Sequence, residues 1–460
     1  MRSVSAAIGA QEASPMMASR PRIAVVAINS GNSNRGDEAV LSGALHALRS
    51  RIPDPEIVVY SVNPTDTARL HGVDAVSVFA RATAGQAAGQ AAGQQDAQTG
   101  RASERWRGLV RTIPVVARAV RMGVRLLRRM RWVARQPGFI VRTWFHMRRT
   151  DLLLVAGSNQ LEDSISGPWS YPYTILLCTV LARLAGARVA FVSVGAGPLD
   201  ARLSRWMCLR ALRMTTYASF RDQGSLDFMQ GLGYRGPATV VPDLAYALDV
   251  TAAGVRPKGV QPRVAVNLFP FGDPLYDPSV TDGGTRFAAY VDAVAEFVID
   301  VQARGLQPVL FGTQRGDRRT MDLVRDRIRD RAPDLGEIEH HLPTSYDDLI
   351  AIIDESDVVV GTRYHGILFG LLRGRPTIGI CYQAKSRRLL EMAGLGQYAV
   401  EADGLSATVL LDQLGQAMAM GGASERIRAR AMEMHVECRK GFDDALDRCL
   451  PGFAMRTHGE

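Results

Sequence analysis

Lysine is nearly absent. Of 55 cationic residues only Lys258, Lys385 and Lys440 are lysines, so a lysine inside a motif carries information here. Cysteine is scarce as well: Cys178, Cys208, Cys381, Cys438 and Cys449 are odd in number and show no C-x-x-C spacing. That argues against a disulfide frame or a zinc site and predicts reduced, buried thiols in a cytoplasmic protein. No apolar run reaches the ~18–20 residues of a membrane span. The longest, Tyr173 to Val194, is broken by Arg183, Gly186 and Arg188. Residues 1–20 lack the apolar run of a secretory signal and are expected to be disordered. No loop has the Gly-Lys-Ser/Thr ending of a Walker motif or G-x-G-x-x-G spacing after the first strand, so a dinucleotide fingerprint is not supported.

What is present suits two ordinary domains: 460 residues, of which 47% are apolar. The net charge of +9 is uneven. Residues 101–150 hold fourteen Arg against Glu104, or 14 − 1 = +13, which leaves 9 − 13 = −4 for the remainder. The basic balance belongs to one segment, and no nucleic acid partner is expected.

The most informative stretch starts from a short apolar run. Asp357, three valines and Gly361 predict a buried parallel strand. Thr362 is expected to cap a helix from about Arg363 to Leu372, with Arg363 and His365 in its first turn, and Gly374-Arg-Pro376 stops it. Thr377 to Cys381 predicts the next strand, Tyr382 to Lys385 a polar loop, and Ser386 to about Ala393 another helix. Two strand-to-helix junctions thus bring Arg363, His365 and Lys385 to one sheet edge, where open α/β sheets bind ligands. Helix-start amides, a guanidinium and an ammonium favour a phosphate or carboxylate. An imidazole beside them moves protons near neutral pH. The same residue types also serve as plain helix caps and solvated charges.

Upstream, Arg22 to Ile28 predicts a first strand, followed by a polar loop, Asn29 to Glu38, and a helix from Ala39 to Ser50. Ala82 to Gln98 repeats Ala-Gly-Gln and predicts a low-complexity insertion. Strands are expected at Asp151–Ala156, before the turn Gly157 to Asp163, and at Arg188–Val194. The strand–helix–strand order recurs from Val264. The domains expected are 21–248, with an insertion at 82–149, and 263–400, joined by a Gly/Pro-rich linker at 249–262 and followed by helices over 401–460.

Arg363-Tyr-His365-Gly366, Gly374-x-Pro376 and Tyr382-x-x-Lys385-x-x-x-Leu389-Leu390 resemble the C-terminal signature of polysaccharide pyruvyl transferases, written R-x-H-G, G-x-P and Y-x-x-K. Asn34-Arg35-Gly36-Asp37-Glu38-Ala39 is similar to that family's N-G-D-E-A motif with Arg35 inserted. Ser158-Asn159 departs from a common glycine triplet, while Arg221-Asp222-x-x-Ser225 and Pro242-Asp243 again resemble family motifs. The likeness runs from about residue 22 to 395, and the basic insertion is foreign to it.

The resemblance implies an α/β fold of two Rossmann-like doubly wound domains facing across a cleft, as in the glycosyltransferase B fold. It implies transfer of the enolpyruvyl group of phosphoenolpyruvate onto two hydroxyls of a sugar in a polysaccharide or glycolipid, forming a pyruvate ketal. Phosphoenolpyruvate is then a substrate, and neither a cofactor nor a metal is required. His365 would be the acid/base, with Arg363 beside it. Arg363, Lys385 and Arg221 would hold the donor's two anionic groups, with Tyr382, Gly366 and Thr362 around them. Asn34, Gly36, Asp37, Gly157, Ser158, Asn159 and Gln160 would shape the acceptor side.

A nucleotide-sugar glycosyltransferase would use the same two-domain cleft, and a non-catalytic relative would bind a glycan without releasing phosphate. In the basic segment Arg111, Arg118, Arg121, Arg125, Arg128 and Arg135 fall on one side of a helix expected to start near Pro114, with Trp106, Trp132 and Trp144 interleaved. Two expectations follow: an amphipathic helix packed on the first domain, or an interfacial helix over residues 101–148 on the inner leaflet.

Overall fold

The computed structural model describes residues 20–31, 34–79, 130, 133–164, 167–248, 261–277, 280–420, 422–453 and 455–456. The N-terminal tail, the Ala-Gly-Gln stretch, most of the Arg-rich helix and most of the linker lie outside these residues.

Two wholly parallel sheets carry the fold. The first runs β1 (Arg22–Val26), β2 (Glu56–Ser61), β3 (Asp74–Ser77), β4 (Leu152–Ala156), β5 (Arg188–Val194), β6 (Tyr217–Phe220) and β7 (Thr239–Val240). In space its order is β3-β2-β1-β4-β5-β6-β7. The second runs β8 (Arg263–Asn267), β9 (Gln307–Phe311), β10 (Glu339–His341), β11 (Val358–Gly361), β12 (Thr377–Cys381) and β13 (Ala399–Glu401). Its order is β10-β9-β8-β11-β12-β13. Strand order therefore reverses at β1/β4 and again at β8/β11, the crevices where doubly wound sheets take ligands.

The central strands are continuous apolar runs because helices cover both faces. Leu152–Ala156 and Val358–Gly361 are buried throughout. One face of the first sheet is covered by four helices: 133–147, Tyr171–Leu184, Arg202–Leu212 and Gln223–Gly231. The long helix Ala423–Cys449 crosses back from the second domain onto the first. Cys438 Sγ donates to the Asp243 carbonyl at 3.6 Å, Arg439 Nη2 to Ser50 Oγ at 2.5 Å, and Arg188 Nη1 to the Arg448 carbonyl at 2.9 Å. Among the described residues no helix is long and apolar enough to cross a membrane.

Candidate active site

The second domain supplies its half of the site from the ends of β8, β11 and β12. The helix after β11 spans Tyr364–Leu372 and its N-cap is Arg363, not Thr362 as the sequence suggested. The physical reason is that the Thr362 hydroxyl is buried 2.9 Å from the Tyr290 hydroxyl and is not available to cap. Asn267 Oδ1, at the end of β8, accepts from the Arg363 amide at 2.9 Å. A β-carbon on Gly366 would stand 2.4 Å from that same oxygen, so this turn of helix closes on β8 only with glycine.

Arg363 is held firmly. Its Nε lies 2.9 Å from both carboxylate oxygens of buried Asp317, its Nη2 donates to Oδ1 at 2.5 Å, and its guanidinium sits 4.5 Å over the Phe269 ring. Tyr382 stacks on the same Phe269 at 4.3 Å. The helix after β12 begins at Ala384 with Gln383 as N-cap, earlier than expected, so Lys385 sits in its first turn rather than in a loop.

The first domain contributes the ends of β1, β4 and β6. Asn34 caps the helix Arg35–Arg51: its Oδ1 accepts from the Gly36 amide at 3.1 Å while its Nδ2 donates to Asp37 Oδ2 at 2.7 Å. Ser158 occupies the left-handed region (φ 55) next to Gly157 (φ 49). That costs a non-glycine residue on the order of 1 kcal/mol, and its hydroxyl donates to Asp37 Oδ1 at 2.5 Å. A side-chain bond thus stands where Ser158-Asn159 departs from the glycine triplet common in the family it resembles. Asn159 Nδ2 donates to Glu162 and to the Gly197 carbonyl, and its Oδ1 accepts from Arg221 Nη2 at 3.4 Å. Gln160 does not face the cleft. It is fully buried, and its Nε2 donates to the carbonyls of Val26, Ala156 and Gly157, fixing the loop from beneath.

The two halves meet directly. Gly36 abuts the His365 imidazole, and Arg221 lies with its guanidinium 4.5 Å over the ring of Tyr364. Arg388, one turn beyond Lys385, reaches Asp222 Oδ1 at 3.2 Å. The inserted Arg35 donates its amide to the Thr313 carbonyl at 3.0 Å and its Nε to the Pro343 carbonyl at 3.2 Å.

The pattern of the polysaccharide pyruvyl transferases matches residues 34–383, well over half of the chain. The chain is a member of the polysaccharide pyruvyl transferase family. No curated protein matches it. Among solved structures it is similar to Anabaena Alr3699/HepE in complex with UDP and glucose, with a TM-score of 0.55 at 11% identity, covering 93% of this chain and 100% of that one. It is also similar to UDP-GlcNAc 2-epimerase from Methanocaldococcus jannaschii, with a TM-score of 0.52 at 8% identity over 87% and 93% of the two chains. At these identities the likeness shows the fold: a two-domain Rossmann-like α/β architecture like that of glycosyltransferase B enzymes.

In this pyruvyl transferase family member the electrostatics of the cleft are unusual. Burial, with the charges of Arg221, Lys385 and Arg363 added, pushes the His365 imidazole down to about 3. Its Nε2 has no hydrogen-bond partner among the described residues. Burial pushes the Asp37 carboxyl up to about 6, with Glu38 and Asp243 adding to it and Ser158 opposing. Burial and Arg221 bring Lys385 down to about 8. Arg221 is itself buried, yet Tyr364, Asp243 and Asp222 more than offset that burial and keep it cationic.

Several contributors were not legible as site residues. Glu162 has its carboxyl raised by burial and faces the field of Lys385. Asp243 starts the turn Leu244–Ala247 through a 3.0 Å bond to the Ala245 amide, as turn chemistry predicts. It also presents Oδ2 at 3.8 Å from Arg221 Nη1. Arg388 and Glu162 each lie within a few residues of a recognised motif, which was the one available signal. Asp317 had none. Among the described residues no group of three His, Cys, Asp or Glu side chains is arranged as metal ligands.

Proposed function

We propose that this chain moves the enolpyruvyl group of phosphoenolpyruvate onto two hydroxyls of a saccharide, giving a cyclic pyruvate ketal and free phosphate. The observation that carries the reading is the convergence of Arg221 and Lys385, from opposite domains, around an imidazole whose Nε2 has no partner. Two cations suit a donor with a carboxylate and a phosphate.

In the first step His365 takes the proton of a sugar hydroxyl as its oxygen bonds to C2, and the imidazolium so formed gives that proton to C3, which becomes a methyl group. In the second step another hydroxyl attacks C2. The C2–O bond to phosphate breaks, phosphate leaves with the bonding pair, and the hydroxyl proton passes to a base. His365 is neutral in the resting site and so starts as the base, accepting at Nε2. Arg221 and Lys385 hold the donor. Asp37 and Ser158 face the acceptor, with Asn159 behind them. Arg363 acts through Asp317, keeping the turn before His365 in place. Five buried free thiols support a cytoplasmic setting for the reaction.

The test is phosphate release from phosphoenolpyruvate across a panel of lipid-linked and free saccharides, with mass analysis of the acceptor. Release coupled to a pyruvylated sugar is expected. Turnover of a nucleotide sugar with no response to phosphoenolpyruvate would replace this reading with a glycosyltransferase. Saccharide binding without phosphate release would replace it with a binding protein.

A further inference from the structure

The outer layer of the first domain has a composition unlike the rest of the molecule. The helices 133–147, Tyr171–Leu184 and Arg202–Leu212 lie together over one face of the first sheet, away from the second domain. Tyr173 Oη donates to Gln136 Oε1 at 3.0 Å, and Met147, Ile175 and Cys208 share one core. None of the three helices contains an acidic residue. Arg142, Arg148, Arg149, Arg183, Arg202 and Arg210 are exposed in or beside them, and none forms an ion pair among the described residues.

Arginine-rich helices elsewhere in this chain are neutralised. In the helix Arg318–Arg331, for example, Arg327 and Arg331 both reach Asp292, at 2.9 and 3.0 Å. The charge on the outer layer is therefore not a property of arginine-rich composition in general.

Large apolar side chains stand among these cations. Val133, Val141 and Phe145 follow one another along the outward face of the first helix, and Phe145 is 52% exposed. Leu184 is 69% exposed at the end of the second helix, and Leu203 and Trp206 are 40% and 58% exposed on the third. Beyond the end of helix 133–147, Arg148, Arg149 and Arg188 line a depression whose one acidic member, Asp151, accepts from the Arg22 amide at 2.8 Å.

Water is a poor partner for such a face, and a carboxylate-rich protein would leave its aliphatic groups unmatched. An anionic bilayer matches both kinds of group: its headgroups take the guanidinia and its acyl boundary takes valine, leucine and the aromatic rings. A nucleic acid would satisfy the arginines and stack on Trp206 or Phe145, but would offer nothing to Val133, Val141, Leu184 or Leu203.

We propose that this three-helix layer is a docking face for an anionic membrane surface, holding the chain on the bilayer without a membrane span. Docking by this face is independent of the reaction in the cleft, so a chain inactive on phosphoenolpyruvate still tests it.

The experiment is flotation of the full-length protein with vesicles of phosphatidylcholine alone, or with phosphatidylglycerol as about a third of the lipid, over a salt series. Binding to the anionic vesicles is expected to be at least about tenfold stronger than to neutral ones and to weaken as salt rises. The exposed triple variant Val141→Glu/Phe145→Glu/Trp206→Glu should lose about tenfold in vesicle binding while its thermal unfolding midpoint stays unchanged. Equal binding to the two vesicle types would overturn the proposal. So would undiminished binding of the triple variant, which would assign the affinity to the basic stretch 101–129 alone. Tighter binding to a single-stranded RNA oligonucleotide than to anionic vesicles, lost in the same variant, would make the face a nucleic-acid surface instead.

Discussion

Gly36 lies so close to His365 that a β-carbon on the glycine would stand 1.9 Å from the imidazole Nδ1. The backbone of one domain is thereby the wall against which the other domain's imidazole is set. Gly36→Ala is expected to push the ring or the whole interface aside and to lower turnover by about a hundredfold, the scale of a misplacement near 1 Å. Steady-state kinetics beside a thermal unfolding curve checks this. Unchanged turnover would mean that the ring can yield.

His365→Gln should lower turnover by roughly 10²–10⁴-fold with the fold retained, since Nε2 makes no structural bond. It should also make the protein more acid-tolerant. An unfolded histidine binds a proton near its ordinary value of 6.5, but the folded imidazole does so only near 3. The wild type thus loses stability as pH falls through that window, and the glutamine variant lacks this loss. Urea unfolding at pH 7 and pH 5 compares the two.

Asp37 has the opposite sign. Its folded value of about 6 lies above the ordinary 3.8, so its proton stabilises the fold at low pH. That contribution is lost as pH rises through 6. Asp37→Asn should remove the slope between these values. It should also remove an acid limb near pH 6 from the kcat/KM profile if the carboxylate serves the acceptor hydroxyl. A limb that persists in the variant would assign it to another group.

Arg363→Lys should destabilise the protein by about 3 kcal/mol, because an ammonium cannot span both oxygens of buried Asp317. Asp317→Asn should act in the same direction, with the two changes together less than additive. Full stability with donor affinity lost would instead give the guanidinium to the donor, as the motif alone suggested.

Lys385→Met should raise KM for phosphoenolpyruvate more than it changes acceptor KM. In the wild type, donor binding should already weaken as pH rises through about 8, where Lys385 loses its proton. Lys385→Arg, which does not titrate there, should extend binding to higher pH.

The central strands could be read from sequence because short apolar runs bounded by turn residues allow little else, whereas the edge strands Asp74–Ser77 and Ala399–Glu401 and the strand order could not. Nor could partners that folding brings from afar. Thr362 looked like a cap because Tyr290, which occupies its hydroxyl, lies 72 residues away. Arg363 looked free to grip a ligand because Asp317 lies 46 residues away in an unremarked turn. Gln160 looked like a site residue because it follows Asn159, yet the backbone at Ser158 turns it under the loop. Arg35 was legible as an insertion, but its reach to Thr313 and Pro343 depends on how the domains meet.

Arg35 fastens the first domain to the second, and Gly36 and Asp37 follow it directly in the chain. A hinge motion wide enough to part the domains here must break that fastening. The same motion draws Asp37 and the Gly36 backbone away from His365. Opening and disarming then become a single event. With the domains parted, His365 loses the Gly36 backbone that walls it in, and the Asp37 carboxylate of the first domain leaves with that wall.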